Sequence, residues 1–494
     1  MSLTTALFNA KSGLNSVQRQ VAGASDNIAN ARTPGYVAKE ARITAQNVAG
    51  VGSGVLADML RSPVDEILLR DVRLEAATLG TLDVRAKAAA RVAEASGDPA
   101  DERSLAYAFT ELENKFQQLF DQPERADLQR QVVFAAQDLA DRFSSVERAI
   151  QGARLEAERT IDDGVRTVNR ALEGIEELNR TIAEGSAGDI DISGVMDERD
   201  RLIDQIAEQI GIRTFTRERG EVVIATTEGV TLLDGTAREL VFNRTSVIDA
   251  TTPAAVLSGL EVDGFDIAPR PPQGPQDLRS GMIAGAFRAR DEDMVRFQAQ
   301  LDALAKQTIV LFQEADASVP AAGPPFQASL FTGAGGDGVD PAASAADIIG
   351  LAGALAVNPA VDPDAGGDSR LVRDGILAAP TTPGYKAQIQ DWLTALSTSR
   401  TFTPAEDLTD VTTLQGYASE LSTGHLTERA NLEDLADRSR TVFDTLEQRR
   451  FNENGVNVDE ESEKLLELEQ AYAANAQVIN IVARMFDELL ARIA

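Results

Sequence analysis

Cysteine is absent from this chain of 494 residues, and histidine occurs once, at His425. No disulfide, thiol nucleophile or Cys-based zinc site can form, and a single imidazole leaves Ser-His-Asp chemistry poorly supplied. A carboxylate-only enzyme stays chemically open, yet no arrangement indicates one, and His425 reads as a packing or surface residue. Aromatic residues are sparse, at 5% with one Trp against 43% hydrophobic residues, which favours Leu/Ala/Val helix packing over an aromatic-rich β core. Basic residues are outnumbered: 47 Lys and Arg meet 78 Asp and Glu, a net charge of -31 that repels nucleic acid and anionic membranes. Long apolar runs are missing too. The least polar stretch, Ala342 to Val361, contains Asp347 and is mostly Ala and Gly, so no membrane span is expected. The opening MSLTTALFNAKSGLN has no continuous apolar run or cleavage pattern of the common secretory kind. No cofactor, metal, nucleic-acid or membrane partner is expected.

What the chain does have is an apolar heptad at each end. Leu7, Leu14, Val21 and Ile28 recur every seven residues, with Leu3, Ala10, Val17 and Ala24 as the second series. Near the other end Val458, Leu465, Tyr472, Ile479, Phe486 and Ile493 are partnered by Leu468, Asn475, Val482 and Leu489. Spacing of 3,4,3,4 keeps one seam of a helix facing a partner helix. Charge agrees with pairing of the ends: residues 458–494 carry eight acidic and three basic side chains, residues 1–42 five basic and two acidic. Opposite sign favours pairing of the N- and C-terminal helices, although the same charges also serve simply to solvate outer faces. The chain looks built to close on itself, or on copies of itself.

Between the heptads the pattern changes several times, and length alone predicts roughly three or more domains at ~100 to 200 residues each. The expected fold is mainly α with inserted β: terminal coiled-coil helices, a long helical bundle and an inserted β-rich domain. Residues 1–62 are read as the N-terminal coiled-coil and turn segment, with a loose extended stretch from Glu40 to Leu56, and 63–211 as the first part of the bundle. Asp98-Pro99 and Gln122-Pro123 each open a helix, since Pro is tolerated in a first turn. A further helix spans Ile192 to Ile210. Alternation at Val222, Ile224 and Thr226, with turns at Glu228-Gly229 and Asp234-Gly235, makes 212–280 the β-rich insert, placed far from the chain ends. Residues 281–317 return to the bundle, 318–402 are a variable Gly/Ala/Pro-rich insert of weakly specified structure, 403–457 complete the bundle and 458–494 form the C-terminal coiled-coil helix.

Several motifs carry a resemblance. Ser12-Gly13-Leu14-Asn15, Asp26-Asn27-Ile28-Ala29-Asn30 and Thr33-Pro34-Gly35-Tyr36 resemble the N-terminal signature of bacterial flagellar rod, hook and hook-associated proteins. Gly455 to Glu461, Gln470 to Ala476 and Met485-Phe486-Asp487 are similar to the matching C-terminal signature. Within that superfamily, Met196-Asp197-Glu198-Arg199-Asp200-Arg201-Leu202-Ile203 and Phe287-Arg288-Ala289-Arg290-Asp291 resemble segments of the hook-associated protein 1 family. The resemblance covers about the first 210 residues, the 281–316 helix and the last 90. One departure is plain: Val37, Ala38 and Lys39 stand where the family commonly has Ser-Arg-Gln, which puts any contact of that arginine in doubt.

The resemblance implies a structural subunit, not an enzyme, of the secreted, extracellular flagellum. It would be exported through the type III apparatus with an export chaperone and polymerise at the distal end of the hook. Its partners would be copies of itself, the hook protein and the second hook-filament junction protein. The rivals are another axial protein, such as a hook or distal-rod subunit, and an unrelated coiled-coil secreted scaffold. Leu7, Leu14, Val21, Ile28, Leu465, Tyr472, Asn475, Ile479, Val482, Phe486 and Leu489 form the expected assembly interface, its seam completed by neighbouring subunits. Thr33, Pro34, Gly35 and Tyr36 form the turn that ends the first helix, with or without an interface role. Asn457, Asp459, Glu460 and Glu461 read as the cap and first turn of the last helix rather than a metal or partner site. For Asn475 two readings stand: it selects register in the apolar seam, or it simply meets solvent or another polar group. Gly333 to Gly338 matches GxGxxG but leads into Val-Asp-Pro instead of a helix. Asp362, Asp364 and Asp368 resemble part of a calcium loop without its closing Glu.

Overall fold

A computed structural model describes residues 3–33, 35–48, 51–185, 192–320, 323–403 and 408–493; Pro34 of the expected turn and Gly50 lie outside them. Helix α1 (Leu3–Asn30) leads into a hairpin of β1 (Lys39–Val48) and β2 (Val51–Arg61). Next come α2 (Glu66–Ser96), α3 (Leu105–Asp121), the 60-residue α4 (Ala126–Gly185) and α5 (Ser193–Gln209). Strands β3 (Ile212–Thr216), β4 (Val222–Thr226), β5 (Thr231–Asp234) and β6 (Thr236–Ala237) form one antiparallel sheet in that order. A second sheet joins β7 (Leu240–Val241), β8 (Glu261–Val262) and β9 (Phe265–Asp266). Helices α6 (Met282–Arg288) and α7 (Met294–Ala315) flank a π-helical turn at Ala289–Asp293. The short helices α8 (Leu351–Ala354), α9 (Leu371–Asp374) and α10 (Ala387–Leu396) precede the long α11 (Leu414–Asn454) and α12 (Val458–Ile493). The fold is mainly α with inserted β, and no helix of the described residues is long and apolar enough to cross a membrane.

The residues divide into two compact units: Met1–Ala77, Arg166–Glu239 and Ser439–Ala494 make the first, Thr78–Val165 and Leu240–Arg438 the second. This division differs from the expected domain plan. The 212–280 segment is not one inserted domain, because the β3–β6 sheet belongs to the first unit and the β7–β9 sheet to the second. Nor is the β region remote from the chain ends, since β3–β6 and both terminal helices share a unit. Asn179 on α4 pins that sheet by pairing with both backbone groups of Val222, at 2.9 and 3.0 Å, while Glu176 accepts the Ala237 amide at 2.8 Å. Val222, Ile224 and Thr226 are buried and their neighbours half-buried, so the period-two pattern marks the packed face.

Local chemistry explains the other departures. The Glu40–Leu56 stretch is part of a long hairpin, in register from Lys39↔Arg61 to Val48↔Val51, with one irregularity between Ala45 and Asn47. Pro99 and Pro123 do not open helices. Asp98 turns back to accept the Ala100 amide, and α3 starts only after Ser104, whose hydroxyl accepts the Tyr107 amide at 3.0 Å. Pro123 sits before the first turn of α4, its carbonyl accepting from Gln129 at 2.8 Å.

The largest correction concerns 318–402. Leu330, Phe331, Val361, Val372, Ile389, Trp392 and Phe402 of this segment are almost fully buried in the main core of the second unit, with Phe116, Phe143 and Phe312. Phe116, Phe312, Phe331 and Trp392 pack ring to ring with centroids 5.1 to 6.0 Å apart. Periodicity is missing because the segment is built from turns fixed by carboxylates. Asp316 accepts from Ser318, Ser329 and Ile376; Asp362 caps a turn through the Asp364 amide and takes the Gln137 side chain; Asp368 accepts the Arg370 amide. The calcium-like aspartates are therefore engaged with backbone and side-chain donors.

Candidate assembly site

Helices α1 and α12 pack along each other within the first unit. They run antiparallel: Gly13 faces Asn475, and Ala38, just beyond α1, donates to the Asn454 carbonyl at 2.8 Å, just before α12. The buried line of α1 is Ala10, Val17 and Ala24 with Ser16, Gly23 and Asn27, while Leu7, Leu14, Val21 and Ile28 flank it half-buried. On α12, Leu468 and Val482 are buried and Leu465, Asn475, Ile479 and Phe486 half-buried, the 3,4 spacing expected of a seam. The seam expected to await neighbouring subunits is thus filled by the chain's own two ends. Tyr472 and Leu489 do not join it, being 42% and 45% exposed.

Small residues set the closeness of the pair. A Cβ on Gly13 would stand 2.9 Å from Asn475 Oδ1, so the asparagine sits over a notch that only glycine leaves. Its amide donates to the Ala471 carbonyl at 3.0 Å, within its own helix. Gly23 likewise receives the Met59 methyl of β2. No ion pair joins α1 to α12 among the described residues; the complementary charges point elsewhere, as in Lys39–Asp26 at 3.9 Å.

The turn after α1 is organised by a fully buried asparagine. Asn27 accepts from Tyr36 Oη at 3.0 Å and from the Lys39 amide at 2.9 Å, and donates to the Lys39 carbonyl at 3.0 Å. Thr33 donates its amide to Asn30, Tyr36 donates its own to Thr33, and Gly35 adopts φ +77°, which a side chain would resist. Asn457 caps α12, its Oδ1 accepting the Asp459 amide at 3.1 Å and reaching the Glu460 amide at 3.5 Å. Glu461 is buried and reaches Lys464 at 3.2 Å.

The Met196–Ile203 motif forms a charged hub in the same unit. Arg61 at the end of β2 lies 2.8 Å from Asp197 and donates to Asp200 at 2.6 Å; Arg73 of α2 donates to Asp204 at 2.7 Å; Arg450 of α11 donates to Asp204 at 2.9 Å. Arg199 closes the arrangement by donating to the Gly220 carbonyl at 2.6 Å. Burial pushes the Asp197 carboxyl above its ordinary range, against the pull of Arg61. Asn454 adds a last tie, donating to the Pro63 carbonyl at 2.9 Å. Arg61, Arg73, Asp204, Arg450 and Asn454 escaped the sequence reading, because their partners lie up to hundreds of positions away.

In the second unit the Phe287–Asp291 motif has an equally structural role. Arg290 is fully buried, paired with Glu158 and with Asp291 at 2.7 and 2.8 Å, and its guanidinium lies 4.7 Å from the Phe287 ring centre. One turn before Glu158 on α4, Arg154 donates to the carbonyls of Asp249 and Thr252 at 3.0 and 2.8 Å. Together they hold the π-helical turn and the loop before β8.

The geometry, two terminal helices zipped antiparallel and a motif-built hub in the same unit, can be set beside known proteins. Residues 92–317 match the Flagellar hook-associated protein FlgK helical domain, and residues 447–492 match the Flagellar basal body rod FlgEFG protein C-terminal family. Flagellar hook-associated protein 1 of Bacillus subtilis is 23% identical over 240 residues, 46% of this chain and 47% of that protein. Its namesake in Escherichia coli is 22% identical over 305 residues, 60% of this chain and 54% of that protein. The chain therefore spans about half the length of the curated relatives it matches. The solved flagellar hook junction protein FlgK from Burkholderia pseudomallei aligns at 18% identity and a TM-score of 0.41, covering 55% of this chain and 45% of that one. Motif by motif and over its matched helical region, the chain is similar to flagellar hook-associated protein 1.

Proposed function

We propose that this protein is a structural subunit of the bacterial hook-filament junction. It polymerises at the distal end of the hook and, with a second junction protein, joins hook to filament; its work is mechanical, not catalytic. The observation that carries this reading is the unpartnered side of α12. Beside the seam filled by α1, Leu466, Val478, Ile481, Met485 and Leu490 remain 42 to 64% exposed, and Phe8 on α1 is 62% exposed. A helix apolar over so wide an arc needs a second neighbour, which further copies, the hook protein or the second junction protein supply in an axial assembly. Before assembly the same surface calls for an export chaperone.

The rival axial roles rest on the C-terminal match alone, which is shared with rod proteins. The match over 92–317 favours the junction subunit. Deleting the gene tests the reading: cells are expected to keep hooks, lose filaments and release flagellin monomer into the medium. Normal filaments in the deletion strain overturn it.

A further inference from the structure

Strand β3 is an edge of its sheet, pairing only with β4. The ladder fixes which amides it leaves free. Arg217 donates to the Glu221 carbonyl and Thr227 to the Gly211 carbonyl, so the alternation turns the amides of Arg213 and Phe215 toward β4 and those of Thr214 and Thr216 outward. Among the described residues neither outward amide has a partner. Native edges are normally blunted or covered; this one instead borders an open groove of about 1060 Å³ in the first unit. Its walls include Leu60, Ile67 and Phe215, which are 45, 61 and 58% exposed, and Arg213, which has no carboxylate partner among the described residues.

We infer that this groove takes an extended strand from a second copy of the chain, added to the free edge of β3. Main-chain bonds to Thr214 and Thr216 would supply the affinity, and Phe215 and Ile67 the apolar contacts. A second copy suits the site on two counts. The groove itself is basic, lined by Arg61, Arg70, Arg73, Arg199 and Arg213 against Glu66, Asp71 and Asp200, whereas the chain as a whole carries a net charge of -31, so an acidic segment of a second copy complements it. The groove is also continuous with the terminal layer: Met59, which lines it, packs its methyl on Gly23 of α1. The inference rests on the proposal that copies assemble through that layer.

The test uses the full-length chain in cells, with a photo-crosslinking amino acid at position 215. Ultraviolet light is expected to join copies to each other, through a segment of the second copy that carries carboxylates. The Thr214→Pro variant removes an outward amide and leaves the β3–β4 bonds intact; it should lower the crosslink about tenfold, the equivalent of 1.4 kcal/mol. Ile67→Asp should do the same should the proline variant fold poorly, since Ile67 lines the groove and is exposed. Crosslinks that stay within one chain, or that reach only a different protein, overturn the inference. So does a crosslink insensitive to both variants. Junctions that assemble normally without the crosslink refute the groove alone, whereas filaments that form without the gene refute the functional proposal.

Discussion

The two units solve the packing problem in opposite ways. The second closes on itself: its core is lined by Phe116, Phe143, Phe312, Phe331, Trp392 and Tyr417, all essentially unexposed. The first is zipped at its ends by small residues, Ala10, Gly13, Val17, Gly23 and Ala24, and leaves large apolar side chains of α12 in water. Closely fitted aromatic rings give a unit its own stability, while a narrow seam of Ala, Gly and Val buries little area per residue and leaves stability to be completed by neighbours. The contrast predicts that core damage in the second unit is felt by the free chain, and surface damage in the first only by the assembly.

The largest effect should come from Trp392→Ala. Its ring meets Phe116 at 5.4 Å and Phe312 at 5.7 Å between centroids, and emptying such a site costs about 3–5 kcal/mol. Thermal or urea unfolding of the free chain checks this. A loss below about 1 kcal/mol would mean that the 318–402 segment is not part of a cooperative core.

Acid comes next, and it acts on the second unit with two opposite signs. His425 is fully buried, its Nδ1 2.7 Å from Ser96 Oγ and its ring 4.2 Å from that of Phe297; burial, then the nearby Arg296, brings its pKa down to about 3. The unfolded chain protonates this imidazole below about 6.5 and the folded chain does not, so stability falls between 6.5 and 3 by up to about 1.4 kcal/mol per pH unit. Glu147 works against it. Burial, with Asp302 and Asp249 close by, raises its carboxyl to about 7, so the folded chain keeps a proton that the unfolded chain releases above its ordinary value of 4.5. Its stabilisation is present at low pH and is lost as pH rises toward 7. The His425→Gln variant should flatten the acid limb below pH 6, and Glu147→Gln should remove the opposing slope above about 6, leaving below it the part supplied by Asp302, whose carboxyl burial raises to about 6; pH-dependent urea midpoints distinguish the two.

How much of this was legible beforehand follows the same division. The first unit's seam could be read because a heptad is a local pattern: Ala10, Val17, Ala24, Leu468 and Val482 all lie where the spacing puts them. The alternation at Val222, Ile224 and Thr226 was readable for the same reason. The second unit's 318–402 segment was not, because its buried residues are spaced irregularly and held by side chains such as Asp316, which meets Ile376 60 positions away. The hub was half legible. Asp197 to Ile203 could be recognised as a motif, but not that Arg61, Arg73 and Arg450 converge on it. The outer line on α12 was overlooked because Val478, Ile481 and Met485 fall off the heptad, although together they make the helix apolar on more than one face.

The seam itself gives a smaller, sharper test. Replacing Gly13 by Val drives side-chain atoms into Asn475, and overpacking of this kind costs about 1–3 kcal/mol. If the notch sets the register, Gly13→Val combined with Asn475→Ala recovers most of the loss, a coupling that a double-mutant cycle measures directly. Additive losses would mean that the two residues do not meet. Asn475→Leu probes the same contact from the other helix: register selection predicts defective assembly, and a more stable chain that assembles normally would refute it.

The smallest effect on the free chain, and the most discriminating between the units, belongs to Ile481→Asp. The side chain is 42% exposed and off the α1 seam, so its replacement should change unfolding of the free chain by no more than about 0.5 kcal/mol. In the assembly proposed above the same position would face an apolar neighbour, where an unpaired carboxylate is costly to bury. Cells carrying the variant should therefore make soluble, normally stable protein and fail to grow filaments. Filaments of normal length would show that the outer line of α12 meets water in the flagellum as it does in the free chain, and would return the first unit to the self-sufficient class of the second.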